Sequence, residues 1–171
     1  NLVDTLSASQ IVDKAQKAGI PVVFFNREPD LNAIKTYEKT CFIGTNPLDA
    51  GKMQGDIIKR LWDNHPEYDR NKDGKFQYVM IQANADNPEA LARTEYSVRQ
   101  ARELGVPVQQ VGETLLCNWE EEQAYRSMGL ALAAFKDDIA LVIAHNDRMA
   151  LGALRALGDQ GVHPANGDPA N

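Results

Sequence analysis

Segments of two kinds alternate along this chain. In the first kind, apolar residues recur every three or four positions, as at Ala8, Val12 and Ala15, which is typical of a helix with one buried face. In the second kind, short apolar runs lie between Gly, Pro or Asn residues, which is typical of buried strands. We expect helices at 8–18, 47–64, 87–105, 124–135 and 150–157. We expect strands at 20–25, 40–44, 76–83, 106–111 and 139–144.

The alternation of strands and helices predicts the fold class. Right-handed crossovers bring such strands into parallel sheets with helices on both faces, which is an α/β fold. Two helices carry terminal signals: Gly19 and Pro21 end the first, and Asn87 followed by Pro88 begins the third. In such proteins, ligands bind at the carboxyl ends of the strands. The residues at those ends are therefore candidates for a functional site.

Planar polar side chains and one large aromatic residue follow the predicted strands. They are Asn26, Asn87, Glu89, Arg93, Trp119 and Asn146. Amide, carboxylate and guanidinium groups can each form two hydrogen bonds with neighbouring hydroxyls. An indole presents a large apolar surface on which a sugar ring can pack. This combination predicts a binding site for a neutral sugar.

Each candidate also has a purely structural interpretation. Asn87 and Asn146 can cap the helices that follow them, and Asn26 can form a turn. Trp119 can belong to the core, and Arg93 can pair with the glutamate four residues before it. The functional interpretation gains weight because these residues converge on one edge of the predicted sheet.

Residues 69–77 carry oxygen-bearing side chains at alternate positions of a tight turn. A calcium loop needs ligands at positions 1, 3 and 5, a Gly at 6, a backbone carbonyl at 7 and an oxygen at 9. Those positions hold Asp69, Asn71, Asp73, Gly74, Lys75 and Gln77. Position 12, where an EF-hand has its closing Glu, is Met80 in a predicted strand. The loop is therefore half of such a motif, and the alternative is a surface turn rich in Asp and Asn.

Composition narrows the choice of partners. The chain has 171 residues, 43% of them hydrophobic, and can form one good core. Its net charge is −6 and it has no basic cluster, which disfavours nucleic acids and anionic membranes as partners. No apolar stretch approaches the roughly 18 residues of a membrane-spanning helix. Cys41 and Cys117 have no metal-type spacing, and buried free thiols are favoured over a disulfide.

Several of these stretches together resemble one family. The chain is similar to the bacterial periplasmic galactose/glucose-binding proteins, which are receptors of sugar ABC transport and chemotaxis. The matching stretches, in order along almost the whole chain, are Pro21–Pro29, Asp69–Gly74, Asn87–Thr94, Trp119 with Gln123–Ala124, and Val142–Ala150. The calcium loop and the sugar-contacting residues occur together in this family, which makes the resemblance specific.

The resemblance implies a type I periplasmic-binding-protein fold, in which two α/β lobes, each a parallel sheet between helices, bind sugar between them. Residues 1–44 correspond to the end of the first lobe and the first hinge crossing, and 45–171 to most of the second, incomplete lobe. The chain is thus expected to be a partial copy, and its final segment 162–171 a loop.

The same resemblance implies a receptor that captures glucose, galactose or both without transforming them, so no enzyme is expected. Its implied partners are a membrane ABC permease and a chemoreceptor. The receptor is implied to be in the periplasm, or to be held at the cell envelope by a lipid anchor. The six candidate residues are the implied contacts of the sugar. Calcium is the implied metal, bound by Asp69, Asn71, Asp73, Lys75 and Gln77.

This sequence departs from the family pattern at three positions. Asn87 stands where the family usually has His, and the longer Glu89 stands where it has Asp. The Glu that closes the family's calcium shell falls at Ala140. Either Asp138, two residues earlier on the same face of the predicted strand, replaces that Glu, or water completes a weaker shell.

Two other functions are compatible with the architecture. The effector domain of a sugar-responsive repressor shares it, but needs a DNA-binding segment and does not usually carry the calcium loop. A glycoside hydrolase needs two carboxylates about 5 or 6.5–9.5 Å apart. The predicted site offers Glu89 and Asp147 without an evident proton donor.

Overall fold

The computed structural model describes residues 1–2, 4–69, 71–135 and 138–162 of the chain. Contacts divide the chain into unit 1, Asn1–Asn46, and unit 2, Pro47–Asn171. The predicted terminal loop, 162–171, lies outside the described residues except for Val162.

Unit 1 is a small α/β unit. Its helices and strands are, in order, α1 (Ala8–Ala18), β1 (Val22–Phe25), α2 (Leu31–Lys35) and β2 (Thr40–Ile43), preceded by a 3₁₀ turn at Thr5–Ser7. The two strands are parallel, with Val22 opposite Thr40. Gly19 ends α1 with a left-handed φ of 70°, the conformation that Gly adopts without steric cost. The first predicted helix and its end are thus confirmed.

Unit 2 is larger and centres on one buried strand. Its helices and strands are α3 (Pro47–Asn64), β3 (Phe76–Gln82), α4 (Pro88–Glu103), β4 (Val108–Gln110), β5 (Leu115–Leu116), α5 (Glu121–Phe135), β6 (Leu141–Ala144) and α6 (Asp147–Asp159). A 3₁₀ turn, Pro66–Tyr68, precedes the loop that leads into β3. The strand β3 pairs in parallel with β4, β5 and β6. All seven of its residues are buried, as expected for the central strand of a sheet covered on both faces.

Helices cover both faces of this sheet. Alternate residues of β3 enter two different clusters: Phe76, Tyr78 and Met80 pack with Ile58 of α3 and with α4. Val79 and Ile81 pack with residues of α5 and α6, including Met128 and Met149. The period of two along β3 produces this division, because successive side chains of a strand point to opposite faces. The predicted parallel α/β arrangement is therefore confirmed.

Short elements were not predicted. The five-residue helix α2 is too short to show a helical period, and the two residues of β5 form a strand only because they pair with Ile81 and Gln82. Cys117 is buried as predicted, whereas Cys41 is exposed on β2, so its predicted burial is wrong. Both are free thiols. Among the described residues, no helix is both long and apolar enough to cross a membrane.

Candidate functional site

The candidate site in unit 2 lies where β3, β5 and β6 end. Arg93, in the second turn of α4, is its centre. Its guanidinium lies 5.6 Å from the centroid of the Trp119 ring, a distance at which a cation is attracted to an aromatic face. Its Nη2 is 3.8 Å from Oε2 of Glu89, one turn earlier on the same helix. Asn146 donates from Nδ2 to the backbone oxygen of Trp119 at 3.5 Å. Glu89, Arg93, Trp119 and Asn146 thus come together as predicted.

Arg93 has hydrogen-bonding capacity left over. Its Nη1 donates to the backbone oxygen of His145 at 2.6 Å, which anchors the guanidinium to the end of β6. Its Nε is buried without a hydrogen-bond partner among the described residues. A guanidinium carries five N–H donors in a fixed plane, so these contacts leave donors for a ligand. The predicted ion pair with Glu89 is present, and it leaves both the guanidinium and the carboxylate able to form further hydrogen bonds.

Trp119 lies in a strained turn between β5 and α5. Its φ is 66° and that of Asn118 is 49°, so two successive residues adopt the left-handed conformation. That conformation costs an L-residue roughly 1–2 kcal/mol and persists only where neighbours hold it. The Asn118 side chain is held on both sides: its oxygen accepts from Asn84 at 2.8 Å and its nitrogen donates to Gln123 at 2.9 Å. The half-buried indole is therefore presented by a fixed turn as well as packed on the core.

Asn87 and Asn146 are both helix caps. Oδ1 of Asn87 accepts from the backbone N–H of Ala90 at 3.0 Å, and Oδ1 of Asn146 accepts from Met149 at 2.9 Å. The structural interpretation of these residues is therefore confirmed. Capping uses only the amide oxygen, and the NH₂ group has two donors of its own. A capping asparagine at this edge can still donate to a ligand hydroxyl.

Asn26 lies in unit 1, at the end of β1, which belongs to a different sheet from the strands of unit 2, so the expectation that it shares one sheet edge with the other candidates is wrong. Its φ is 70°, and its Nδ2 donates to Oδ1 of Asn1 at 3.4 Å. Arg27 donates its backbone N–H to the oxygen of Phe25, so the turn interpretation of Asn26 is confirmed. Its contact with sugar stays a prediction.

His145 is a component of the site to which the sequence analysis gave no role. It follows β6 and is only 3% exposed. Burial, and then the positive charge of Arg93, lower the pKa of its imidazole from 6.5 to about 4. It is therefore neutral near pH 7. Its position at a strand end was the only sequence signal, because nothing local shows that a histidine will be buried.

The predicted calcium loop is a turn closed by its own side chains. Asp69 accepts from the backbone N–H of Gly74 at 2.9 Å, and Asn71 accepts from that of Asp73 at 3.2 Å. The Asp73 carboxylate accepts from Lys75 N–H at 2.9 Å and from Gln77 Nε2 at 2.9 and 3.0 Å. The surface-turn interpretation is thus confirmed. These carboxylate oxygens have further lone pairs, so the bonds do not exclude a cation.

The position that closes the family's calcium shell is Ala140 in this chain. The backbone N–H of Ala140 donates to the backbone oxygen of Gln77 at 3.1 Å, so the two residues are neighbours. The methyl side chain of Ala140 has no oxygen to bind a metal. Asp138 lies three residues before β6 begins and is exposed, so the expectation that it shares a strand face with Ala140 is wrong. The described residues contain no cluster of three His, Cys, Asp or Glu side chains suited to a metal ion. Two carboxylates, two side-chain amides and one backbone oxygen are what the predicted ligand residues of this loop offer a hard cation.

A cavity of about 330 Å³ lies elsewhere in unit 2. Mainly apolar side chains of α3, β6 and α6 line it, among them Ile57, Leu61, Leu141 and Leu154. It contains none of the predicted sugar or calcium residues. With almost no polar group to orient a sugar, this cavity is not the candidate site.

Comparison with known proteins identifies the family. The family model described as "Periplasmic binding protein domain" matches residues 1–169, and the chain belongs to this family. It is 39% identical over 158 residues to the D-galactose/methyl-galactoside binding periplasmic protein MglB of Haemophilus influenzae, covering 91% of this chain and 47% of that protein. The chain spans about half the length of the curated relatives it matches.

Solved structures agree on the fold. An ABC transporter periplasmic solute binding protein of Actinobacillus succinogenes with bound D-allose has a TM-score of 0.73 at 21% identity, over 93% of this chain and 52% of that one. An ABC transporter solute binding protein of Bacillus halodurans with bound myo-inositol also has a TM-score of 0.73, at 25% identity, over 94% and 50%. The predicted family and the type I periplasmic-binding-protein fold are thereby confirmed, and the chain corresponds to a partial copy of that fold.

Proposed function

We propose that this chain is part of a receptor that binds glucose, galactose or both. The observation that carries the proposal is the pairing of Arg93 with Trp119 at the ends of the unit 2 strands: a guanidinium with donors left over lies beside a half-buried indole. Fixed planar donors match vicinal hydroxyls, and an indole matches the apolar face of a pyranose. The relative MglB is named for galactose binding, which supports the same ligand class.

Each residue has a distinct role in this proposal. Trp119 packs on the ring, Arg93 donates to hydroxyl oxygens, and Glu89 accepts from hydroxyls while its pairing with Arg93 keeps it oriented. The amide nitrogens of the two capping asparagines donate to the sugar edge. In the whole protein, two lobes close on the sugar because it contacts both.

The receptor binds without catalysing a reaction. Glu89 is the only carboxylate among the six candidate residues, and it is paired with Arg93 at 3.8 Å. Hydrolysis of a glycosidic bond needs a second carboxylate placed as base or nucleophile. We further propose that the whole protein acts in the periplasm, or tethered by lipid at the cell envelope, and delivers sugar to an ABC permease or to a chemoreceptor.

The proposal predicts monosaccharide binding that depends on Trp119. Calorimetry of the complete protein against a panel of monosaccharides is expected to show binding of D-glucose or D-galactose. Trp119→Ala is expected to weaken it by roughly 2 kcal/mol, about 30-fold, because a buried aromatic anchor is lost. Trp62→Phe serves as the control, because Trp62 packs on Phe76, away from the site, and its replacement is expected to leave the affinity for sugar unchanged.

Two results would contradict this function. Normal sugar affinity in Trp119→Ala would mean that the indole is only a core residue. Turnover of a nitrophenyl glycoside that Glu89→Gln abolishes would mean that the protein is an enzyme.

We also propose that the loop at Asp69–Gln77 binds calcium weakly. Without a cation, Asp69 and Asp73 repel each other within one turn, and their oxygens are hard ligands at calcium-loop spacing. With a dissociation constant near 1 mM, 10 mM calcium is expected to stabilise the fold by about 1.4 kcal/mol. That corresponds to a rise of about 3–5 °C in melting temperature for a chain of this size.

Two variants test the calcium proposal. Ala140→Glu restores a carboxylate beside Gln77 and is expected to tighten calcium binding at least tenfold, because a closing carboxylate strengthens such sites. Asp63→Asn is the matched control, since Asp63 is an exposed carboxylate on α3, paired with Lys59 and outside the loop. If calcium raises the melting temperature of neither the wild type nor Ala140→Glu, the spacing is a relic of the motif.

A further inference from the structure

The imidazole of His145 makes two hydrogen bonds, one of them buried and the other partly buried. The backbone N–H of Ala83, just after β3, donates to Nδ1 at 3.4 Å. Nε2 lies 3.1 Å from the hydroxyl of Thr94, which is in α4. His145, Ala83 and their neighbour Gln82 are all less than 10% exposed. The ring therefore joins the ends of two strands to a helix by direct hydrogen bonds.

The hydrogen-bond partners determine the form of the ring. The Thr94 hydroxyl donates its single proton to Oε1 of Gln82, at 2.7 Å. It must therefore accept from His145, so Nε2 carries the proton and Nδ1 accepts from Ala83. A neutral imidazole satisfies both contacts. A second proton on Nδ1 would face the N–H of Ala83 inside a buried site beside Arg93, and the lowered pKa of His145, about 4, agrees with this.

This bridge connects the ends of β3 and β6 to α4, the helix that carries Glu89 and Arg93, whereas Trp119 lies outside it on the turn before α5. Thr94 is adjacent to Arg93 and follows Glu89 on α4, while His145 is adjacent to Asn146. The backbone oxygen of His145 also accepts from Arg93 at 2.6 Å. Apolar packing alone lets a helix slide slightly on a sheet, whereas a satisfied buried polar network allows one arrangement. The bridge therefore determines where the first two turns of α4 lie.

We propose that His145 is a positioning residue of the site: through Thr94 and Ala83 it holds α4, and with it Glu89 and Arg93, against the ends of β3 and β6. This inference rests on the proposed sugar-binding function. His145 does not touch the sugar itself. It determines whether the guanidinium and carboxylate stand at the right distance from Trp119.

The test in the complete protein uses two variants that break the bridge from opposite ends. Thr94→Val and His145→Leu are each expected to weaken binding of D-galactose or D-glucose at least tenfold. The double variant is expected to bind sugar with the same affinity as the single variant that binds it less tightly, because both substitutions remove the same bridge. His145→Asn keeps an acceptor for the Ala83 N–H and is expected to recover part of the loss. Ser97→Ala is the control: its fully buried hydroxyl donates to the backbone oxygen of Thr94 and does not touch the Thr94 hydroxyl, so its removal leaves the bridge intact and is expected to leave affinity unchanged.

A second measurement needs no sugar. In ligand-free protein, Thr94→Val is expected to speed amide hydrogen exchange at 90–95 but not at 98–103 of α4, since only the first turns lose their tie. Long-range proton–nitrogen NMR of the wild type is expected to show His145 protonated on Nε2 alone at pH 7. Unchanged exchange together with wild-type affinity in Thr94→Val would overturn the proposal. If the wild type binds neither sugar, the proposed function fails, and the exchange rates alone decide the positioning role.

Discussion

Replacement of Gly152 by alanine is expected to lower the free energy of unfolding by about 3 kcal/mol, at the upper end of the usual cost of overpacking. Gly152 lies where α6 crosses the start of α5. A Cβ at this position would overlap the backbone oxygen of Glu121 and lie 3.0 Å from the backbone nitrogen of Tyr125. Backbone atoms cannot rotate away as a side chain can, so the two helices must separate and weaken the packing around Met128 and Met149. Urea denaturation of the variant measures this loss.

Gly129→Ala provides the matched control for this experiment. Gly129 is in the middle of α5, and a Cβ there would meet no atom within 4 Å. The same substitution is therefore expected to stabilise the protein by about 0.5–1 kcal/mol, because alanine has the higher helix propensity. Equal stabilities of the two variants would show that α5 and α6 are not in the close contact described above.

Lowering the pH from 7 to 4 is expected to remove about 3 kcal/mol of stability through His145 alone. The pKa of this histidine is about 4 in the folded chain, against an ordinary value of 6.5, because of burial and then the charge of Arg93. Between these values the unfolded state binds a proton that the folded state does not, so the free energy of unfolding falls as the pH drops. The difference between the two pKa values corresponds to about 3 kcal/mol, because each factor of ten in proton affinity is about 1.36 kcal/mol. Below pH 4 this loss is complete.

A variant separates this step from general acid denaturation. The carboxylates of Glu67 and Glu122 have lowered pKa values and also lose favourable contacts in acid. His145→Asn keeps those carboxylates but has no imidazole, so it is expected to be less stable than the wild type at pH 7 and to lose less between pH 6.5 and 4. Denaturation midpoints measured across that window compare the two proteins. Parallel pH profiles would mean that His145 is protonated freely in the folded chain.

The long helices and strands of the fold were predictable because the burial of one face produces a periodic pattern of apolar residues in the local sequence. A helix such as α1 exposes one face and buries another, so Ala8, Val12 and Ala15 recur at its period. Glycine and asparagine mark helix ends for stereochemical reasons: Gly19 ends α1, and Asn87 caps the start of α4. Elements without such a pattern were missed. Pairing with β3 alone makes the two residues of β5 a strand.

The candidate residues were predictable in identity but not in their partners. A sequence places Arg93 and Trp119 after strands, and parallel strands end at one edge, so their meeting was foreseeable. The position of Asp138, exposed and before β6, could not be predicted. The first residue of a strand depends on where that strand pairs with its neighbour.

The sequence by itself determined the alternation of strands and helices, the sheet edge at which Arg93 and Trp119 meet, and the oxygen spacing of the loop at 69–77. Each of these depends on residue types a few positions apart. Only the tertiary structure decided that His145 is buried and neutral, that Asn118 and Trp119 adopt left-handed conformations, and that Gly152 allows α5 and α6 to touch. These features depend on groups brought together from distant parts of the chain. Desolvation, hydrogen-bond satisfaction and close packing act between such groups only after the chain has folded.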